Sequence, residues 1–474
     1  MRRFIAIIML AVAITATALL PASAATGAPR VFIVDGHGWG HGRGMGQYGA
    51  RALAAAGTPW NLILPKYYSD IRLAKTAPRQ RMRVLLTHGK GVVVKGDLRA
   101  VVSTVGRPIA VTKRVAMYFW IARAGNATVI QVARSRSGPW HKVRTVPPRT
   151  VTITGMKAAG IVEGSTTRWY RGTIELVPSG RGLDVIDTVD LDHYVAEVIP
   201  REMPAWWPIE ALKAQAVAAR TYALRVAAVA RAIHRNHDIC ATTACQVFGG
   251  YAWTKNGTYQ ILESRSTNTA AFATARYIMT YKGRAILAEY SSSTGGYTTS
   301  GGVPYLAPRP DPWDASAPLH DWTETISAAE VHAAWPSVGA VRDVRVIARD
   351  GRGDFGGRAL RVQITGSRHT IRVSAASFVA TFGLPSDWFR LRGTAAPRTA
   401  MKFTFDMGEG THNGAVPYLQ QRLHKAGYFP KGIRYSTYFG PITQSALQAY
   451  QRANHISATG YLGPKTRARL NATS

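Results

Sequence analysis

Between residues 80 and 190, short runs of apolar and β-branched residues alternate with Gly, Pro and Ser. Such runs lie at residues 82–86, 91–95, 150–153 and 172–177. Because the runs are short and bounded by turn-forming residues, the pattern predicts a β-rich region. Residues 191–390 mix helical and extended patterns, so we expect an α+β fold.

A long alanine-rich helix is predicted directly after Pro208. From Ile209 to Ile233 there is no Gly or Pro, and a proline is well tolerated in the first helical turn. Lys213 and Arg220 are seven residues apart and therefore share one face of this helix. A basic group on a mostly apolar helix faces solvent or takes a carboxylate or an anionic ligand as its partner. The sequence leaves these alternatives open.

The last part of the chain, residues 415–472, has its own helical pattern and follows a linker-like stretch at 393–414. Apolar residues recur at helical spacing at Val416, Leu419 and Leu423, and again at Ala446, Ala449 and Tyr450. With residues 438–443 and 459–466, this tail resembles peptidoglycan-binding domains of the three-helix type. The resemblance implies a small wall-binding module, and the alternative is a helical cap on the preceding domain.

The N-terminus has the pattern of an export signal. Two arginines precede an apolar run at residues 4–20, and Ala22-Ser23-Ala24 follows. We expect a signal peptide at residues 1–24, cleaved after Ala24; an uncleaved membrane anchor is the alternative. No other apolar stretch is about 20 residues long, so we expect no membrane-spanning segment after cleavage.

Composition adds a strong positive charge. The chain has 59 Lys and Arg against 26 Asp and Glu, a net charge of +33, and loss of the signal's two arginines lowers this to +31. Such a charge favours a polyanionic partner. Because an exported protein rarely meets nucleic acid, we expect anionic cell-wall polymers instead of nucleic acid.

A candidate acid stands just before the long helix. Glu202 is followed by Met203 and Pro204, and then by Trp206 and Trp207. Aromatic walls that exclude water would raise the pKa of this carboxyl, as a general acid at neutral pH requires. A second carboxylate could come from Asp192, Glu197 or Glu210, so the spacing leaves a two-carboxylate glycosidase open.

Residues 192–204 and 208–222 closely resemble the SpoIID/LytB family, as do residues 240–248 and 290–298. The resemblance covers about residues 80–392. Its sporulation members are lytic transglycosylases that cleave peptidoglycan glycan strands, and its amidase-enhancer members modify autolysins. The resemblance implies a β-rich core in which one acid forms 1,6-anhydromuramic ends from glycan strands, and it leaves open whether the strands are first stripped of peptide.

The family's catalytic acid corresponds to Glu202. The expected glycan-binding residues on the helix and the facing turn are Lys213, Gln215, Arg220, Ser291, Ser292 and Ser293. In a regular helix, Gln215 lies about 200° around the axis from Lys213, so the two cannot face one groove. Gln215 is therefore also a candidate for a role in the fold.

The two cysteines, Cys240 and Cys245, admit two interpretations. Family members with a metal site bind zinc in this stretch and commonly carry a histidine directly before the second cysteine. That position is Ala244 here, although His237 lies upstream. In an exported chain a disulfide is the alternative, and we favour it, so no metal and no cofactor are expected.

A glycine-rich segment at residues 31–78 opens the folded chain. It lacks the order of a phosphate-binding loop, and residues 36–50 resemble a glycine-rich signature of the same family. In most members we expect that signature after the core, whereas here it precedes the core. We expect the segment to pack on the core and to present His41 and Gln47 at the edge of the groove.

Taken together, these features predict a secreted, cell-wall-associated lytic transglycosylase. Its expected partners are peptidoglycan glycan strands and anionic wall polymers. The alternative is a non-catalytic wall-binding protein that enhances or positions an N-acetylmuramoyl-L-alanine amidase, which would then be a further partner.

Overall fold

The computed structural model describes most of the chain after the expected signal. The described residues are 31–96, 100–104, 107–111, 118–155, 157–394, 402–411, 415–430, 435–436 and 438–472. The expected signal peptide at 1–24 lies outside these ranges, as do residues 395–401 and 412–414 of the expected linker at 393–414.

The elements follow one another in a mixed order of strands and helices. The strands are β1 Val31–His37, β2 Met45–Gly46, β3 Arg72–Lys75, β4 Arg81–Gly89, β5 Gly91–Gly96, β6 Val101–Thr104, β7 Arg107–Val111, β8 Tyr118–Ala124, β9 Ala127–Ala133, β10 His141–Val146, β11 Val151–Thr154, β12 Ala159–Glu163, β13 Thr166–Tyr170, β14 Thr173–Ser179, β15 Gly182–Asp190, β16 Ile239–Cys240, β17 Ala252–Lys255, β18 Thr258–Ile261, β19 Tyr277–Tyr281, β20 Arg284–Ala285, β21 Tyr290–Ser291, β22 Asp321–Ser327, β23 Val341–Arg349, β24 Ala359–Gly366, β25 Thr370–Ser374 and β26 Phe389–Thr394. The α-helices are α1 Gln47–Ala55, α2 Trp60–Ile63, α3 Leu191–Glu202, α4 Ile209–Ala232, α5 Arg265–Ala273, α6 Ala328–Ala334, α7 Ala375–Phe382, α8 Val416–Lys425, α9 Pro441–Ala453 and α10 Pro464–Ala472.

Two large sheets form the β-rich part. One has eight strands in the order β10-β9-β8-β5-β12-β13-β17-β18, and the other has seven in the order β16-β4-β15-β14-β11-β6-β7. Strand β15 is buried along nearly its whole length, as expected for a strand covered on both faces. The sheets and the helices α1, α3 and α4 share one hydrophobic core.

Helices α3 and α4 meet at the turn that carries Glu202. The Asp190 carboxylate caps α3 by accepting a hydrogen bond from the Asp192 backbone N–H at 2.9 Å, which stabilises the helix start. Helix α3 ends at Glu202, and α4 starts directly after Pro208. The alanine-rich surface of α4 is largely buried, because small side chains let neighbouring elements approach closely.

The glycine-rich segment is built into the fold at two places. Strand β1 is the middle strand of an antiparallel sheet with β22 and β26, and β2 pairs in parallel with β21. Gly44 has a φ of +65°, and a Cβ there would lie 1.9 Å from the Glu289 carbonyl oxygen. Only glycine allows this close approach, which brings the segment beside the residues that follow Glu289.

Two further clusters complete the molecule. The sheet β22-β1-β26 and the sheet β23-β24-β25 enclose a second hydrophobic core with α6 and α7. In the C-terminal domain, helices α8, α9 and α10 enclose a third core together with Phe403 and Met407. The domain therefore includes the described residues 402–411, which the sequence predicted to be linker. Tyr418 on α8 packs against both the second and the third cluster. In the described part of the chain, no helix is both long and apolar enough to cross a membrane.

Candidate active site

Glu202 lies at a cavity of about 1210 Å³ between the core and the C-terminal domain. Glu202 is half-buried, and its Oε1 accepts a hydrogen bond from the Val247 backbone N–H at 3.1 Å. Burial raises the pKa of this carboxyl to about 7, against a smaller lowering by the hydrogen bond. A carboxyl of this kind can hold a proton at neutral pH and release it to a bound substrate.

The two tryptophans do not provide the expected water-excluding walls. Trp206 is 74% exposed, and Trp207 packs on Tyr48 with ring centroids 4.8 Å apart. Neither indole lines the cavity. The guanidinium of Arg51 lies over both rings, 5.3 and 5.4 Å from their centroids, so this aromatic pair belongs to a separate surface.

Tyrosines and a glutamine surround the acid instead. Tyr194 donates to the Gln246 side-chain oxygen at 2.8 Å, and the Gln246 amide donates to the Tyr290 hydroxyl at 3.0 Å. Burial raises the pKa of Tyr194, Tyr290 and Tyr222, and the nearby charge of Glu202 adds to the rise. These rings, brought from three distant parts of the chain, supply the low-dielectric surroundings of Glu202.

Gln47, at the start of α1, holds the backbone of the acid. Its amide donates to the Glu202 carbonyl oxygen at 2.9 Å and to the Gln215 side-chain oxygen at 3.3 Å. Gln47 lines the cavity, whereas Gln215 is fully buried behind it. Gln215 therefore supports Gln47 and the fold, which is the role that its position on the helix allowed.

His41 lines the same cavity in its neutral form. Burial and the nearby Arg43 lower its pKa to about 4. The Arg43 backbone N–H donates to Nδ1 of His41 at 3.0 Å, so in the neutral ring the proton sits on Nε2. The Arg43 guanidinium makes a two-pronged ion pair with Glu289, with both N–O distances at 2.7 Å. His41 can thus donate one hydrogen bond to a ligand.

The serine turn is split between the cavity and the interior. Ser291 and Ser292 line the cavity. Ser293 is buried, and its hydroxyl donates to Asp314 at 2.5 Å. Ser293 therefore does not face the cavity, and its expected glycan-binding role is wrong. Its hydrogen bond to Asp314 instead holds the serine turn in place on the side away from the cavity.

The expected basic stripe on α4 is not at the cavity. Lys213 forms an ion pair with Glu210 at 2.7 Å. Arg220 is fully buried, where its guanidinium pairs with Asp192 at 2.8 Å and donates to the Ala271 carbonyl oxygen at 2.9 Å. Both basic groups have a carboxylate as partner, so neither is placed to meet a glycan. The expected substrate-binding roles of Lys213 and Arg220 are corrected accordingly.

The three carboxylates considered beside Glu202 are also elsewhere. Asp192 and Glu210 are engaged by the basic groups of α4. Glu197 is fully buried next to Asp187, where burial raises its pKa well above the usual value. None of the three lines the cavity. Two other carboxylates line the cavity, Glu289 and Glu409, and Glu289 is paired with Arg43.

Cys240 and Cys245 form a disulfide in the structure. Their sulfurs are thereby unavailable as thiolates, and the Nδ1 atom of His237 lies 2.8 Å from the side-chain oxygen of Asn236. Among the described residues, no group of three or more His, Cys, Asp and Glu is arranged to hold a metal. This donor set does not fit zinc. The loop that follows the disulfide carries Val247, the hydrogen-bond donor to Glu202.

The remaining cavity walls were not predicted from the sequence. Two come from the residues around Glu202: Tyr222 on α4 and Glu289 before the serine turn. The others include Trp39, Arg43, Thr166, Arg168, Arg201, Trp253, Lys255, Gln260, Tyr290, Glu409, Ser436, Tyr438, Pro441 and Gln444. Arg201 lies inside a family-like motif and Glu289 directly before one, which could have marked them. The strand and tail residues carry no such signal.

Comparison with known families agrees with the motifs. Residues 179–281 match the family model SpoIID, described as stage II sporulation protein, and residues 412–470 match the model of a peptidoglycan binding domain. The chain therefore contains a SpoIID domain followed by a C-terminal peptidoglycan-binding domain, and the resemblance inferred from the sequence is confirmed. This combination supports a role at the cell wall.

Three curated relatives share part of the chain. The amidase enhancer of Bacillus subtilis (strain 168) is 41% identical over 140 residues, which cover 28% of this chain and 17% of that protein. Stage II sporulation protein D of the same organism is 33% identical over 155 residues, or 31% of this chain and 45% of that protein. Its counterpart from Bacillus amyloliquefaciens is 32% identical over 155 residues, with the same two shares. The chain thus spans less than half the length of each relative.

Proposed function

We propose that this protein is an exported, wall-associated lytic transglycosylase that cleaves peptidoglycan glycan strands with Glu202 as its only acid and base. The observation that carries the proposal is the position of Glu202: a half-buried carboxyl at a large cavity, with its pKa raised to about 7 by desolvation. The matched SpoIID and peptidoglycan-binding domains support the class of substrate.

In the first step, the protonated carboxyl of Glu202 donates its proton to the glycosidic oxygen as the bond from muramic acid C1 to that oxygen breaks. In the second step, the C6 hydroxyl of the same muramic acid attacks C1, and the Glu202 carboxylate takes the hydroxyl proton. The products are a free sugar hydroxyl and a 1,6-anhydro ring. The carboxyl is protonated again at the end, so no water and no second carboxylate enter.

The surrounding residues suit this chemistry. The Val247 N–H stabilises the carboxylate formed in the first step, because it donates to Oε1. Gln47 fixes the Glu202 backbone, and neutral His41 offers one donor to a sugar oxygen. The fixed Arg43–Glu289 pair keeps the Glu289 carboxylate bound to a guanidinium.

The test is a digest of purified sacculi and of peptide-free glycan strands, followed by mass spectrometry of the products. We expect anhydro-ended fragments from the wild-type protein and none from Glu202→Gln. Ser293→Ala, which changes a buried serine behind the cavity, is a control for a structural defect, because it should reduce folding stability and activity together. Anhydro ends made equally well by Glu202→Gln would remove Glu202 from the mechanism.

A second candidate is a non-catalytic enhancer of a cell-wall amidase. The observation that favours it is the 41% identity to a protein named amidase enhancer. In this case the protein would release no glycan fragments from either substrate. It would instead accelerate an added N-acetylmuramoyl-L-alanine amidase on sacculi, and Glu202→Gln would accelerate the amidase equally well.

A further inference from the structure

The C-terminal domain forms one wall of the cavity that contains Glu202. Five of its residues line this cavity: Glu409, Ser436, Tyr438, Pro441 and Gln444. A second contact holds the domain in place, because Tyr418 packs against the hydrophobic cluster of the β22-β1-β26 region as well as against its own domain. The domain is therefore positioned to take part in ligand binding at the cavity.

Arg201 connects this wall to the acid. It lies next to Glu202 at the end of α3, lines the cavity and donates a hydrogen bond to the Tyr438 hydroxyl. Its guanidinium packs close to the Gly249 backbone, where an added Cβ would lie 3.1 Å from Nε. Arg201 thus reaches from the catalytic turn to the C-terminal domain.

The other arginines of the cavity already have carboxylate partners. Arg43 is paired with Glu289, and Arg168 with Glu163. By contrast, the groups that act on Arg201 are Tyr438 and Arg168, and neither is an acid. Within the described residues, no carboxylate forms an ion pair with Arg201. A half-buried guanidinium with no counter-ion is costly, and an anionic ligand would lower that cost.

We propose that Arg201 and Tyr438 form a subsite for a carboxylate of the glycan strand, so that the C-terminal domain completes the substrate site as well as attaching the protein to the wall. The planar guanidinium matches a carboxylate in a two-pronged geometry. Tyr438, in the C-terminal domain, accepts a hydrogen bond from the Arg201 guanidinium and fixes its orientation. This inference rests on the proposed function only for the class of ligand.

Two sources could supply the carboxylate: the lactyl group of peptide-free strands and the stem peptide of peptide-bearing strands. Binding is therefore measured in the full chain carrying Glu202→Gln, which prevents turnover. The probes are peptide-free strands, peptide-bearing strands and neutral N-acetylglucosamine oligomers. The arm in which Arg201 matters identifies the source.

We expect Arg201→Gln to weaken binding of a carboxylate-bearing probe about tenfold, as for the loss of one charged hydrogen-bonded contact, and to change neutral-oligomer binding less than twofold. Arg201→Lys should lose less, because it keeps the charge. Tyr438→Phe should weaken the same probe, and the double variant should bind no worse than Arg201→Gln, since Tyr438 acts through Arg201.

Two control variants match these changes. Arg235→Gln removes an exposed arginine away from the cavity, and Tyr461→Phe removes a hydroxyl bonded within the C-terminal domain to Asp406. Neither should alter the preference for carboxylate-bearing strands. Thermal unfolding reports whether each variant is folded, and if Arg201→Gln is not, Arg201→Lys and Tyr438→Phe carry the test.

The subsite is refuted if Arg201→Gln weakens binding of the carboxylate-bearing and the neutral probes equally. It is also refuted if Arg201→Gln leaves binding of both peptide-free and peptide-bearing strands unchanged. The binding measurements do not test the proposed function. That function is tested by whether the protein with Glu202 intact forms anhydro-ended products. If the protein forms no anhydro ends but Arg201→Gln abolishes its preference for carboxylate-bearing strands, the subsite is supported and the proposed transglycosylase activity is refuted.

Discussion

Replacing Glu202 with glutamine should stabilise the fold at neutral pH while removing catalysis. The carboxyl is half-buried, and desolvation raises its pKa from 4.5 to about 7. Each pKa unit corresponds to about 1.36 kcal/mol, so ionising this carboxyl in the folded protein costs about 3 kcal/mol relative to the unfolded chain. The amide of Glu202→Gln has a similar shape, can still accept from the Val247 N–H, and never carries the charge.

The sign follows from proton linkage. Between pH 4.5 and 7 the folded protein holds the Glu202 proton and the unfolded chain does not, so this group makes the folded state less stable as pH rises. The variant's advantage in free energy of unfolding should therefore be near zero below pH 4.5, grow up to about pH 7, and stay at about 3 kcal/mol above it.

The assay is urea unfolding of both proteins at several pH values from 4 to 8, with linear extrapolation to water. Taking the difference between variant and wild type cancels the titration of all other groups. Asp343→Asn, at an exposed position on β23, is the matched loss of one carboxyl far from the cavity. A Glu202→Gln advantage that does not change between pH 5 and 8 would refute the inference that this carboxyl is dry.

The remaining predictions concern activity and packing. In the wild type, kcat/KM for anhydro-product formation should be level below about pH 7 and fall about tenfold per pH unit above it, because the acid must be protonated; a pH–rate profile checks this. Arg220→Leu should lower the free energy of unfolding by about 3–5 kcal/mol, since it leaves the Asp192 charge without its buried partner; urea unfolding measures it. Arg43→Lys should lose more free energy of transition-state stabilisation, calculated from kcat/KM, than free energy of unfolding. The reason is that lysine cannot reproduce the two-pronged contact with Glu289. Kinetics and unfolding are measured on the same sample. Replacing both cysteines with serine should lower the free energy of unfolding by about 2–3 kcal/mol. Activity should also fall, because the loop that donates to Glu202 is held less firmly. Urea unfolding compares the variant with oxidised and with reduced wild type, and the reduced protein should match the variant.

The sequence identified local features well. Glu202 was singled out by the unusual residues around it, and the helix that follows Pro208 by its lack of Gly and Pro. These signals lie within one short stretch, so no knowledge of the rest of the fold was needed. The expected reason for the raised pKa was nevertheless wrong, because the indole of Trp206 points to solvent.

Long-range pairs could not be predicted in the same way. Arg43 and Glu289 are separated by 246 positions, and Gln47 lies 155 positions from the backbone that it holds. Arg220 looked like a ligand-binding residue because its partner, Asp192, is 28 positions away on another helix. Charge and periodicity describe what a side chain needs, but the fold decides which group supplies it.

A raised pKa does not by itself mark a catalytic acid in this protein. Burial also raises the pKa of Asp187 to about 8, of Glu324 to about 8, and of Glu197 well above its usual value. None of these three carboxyls lines the cavity, so none can pass a proton to a ligand there. Glu202 combines a similar dry environment with access to the cavity and one backbone donor for its ionised form. Since protonation and access are both needed for acid catalysis, neutralising Asp187 or Glu197 should change stability alone, whereas neutralising Glu202 should change both stability and turnover.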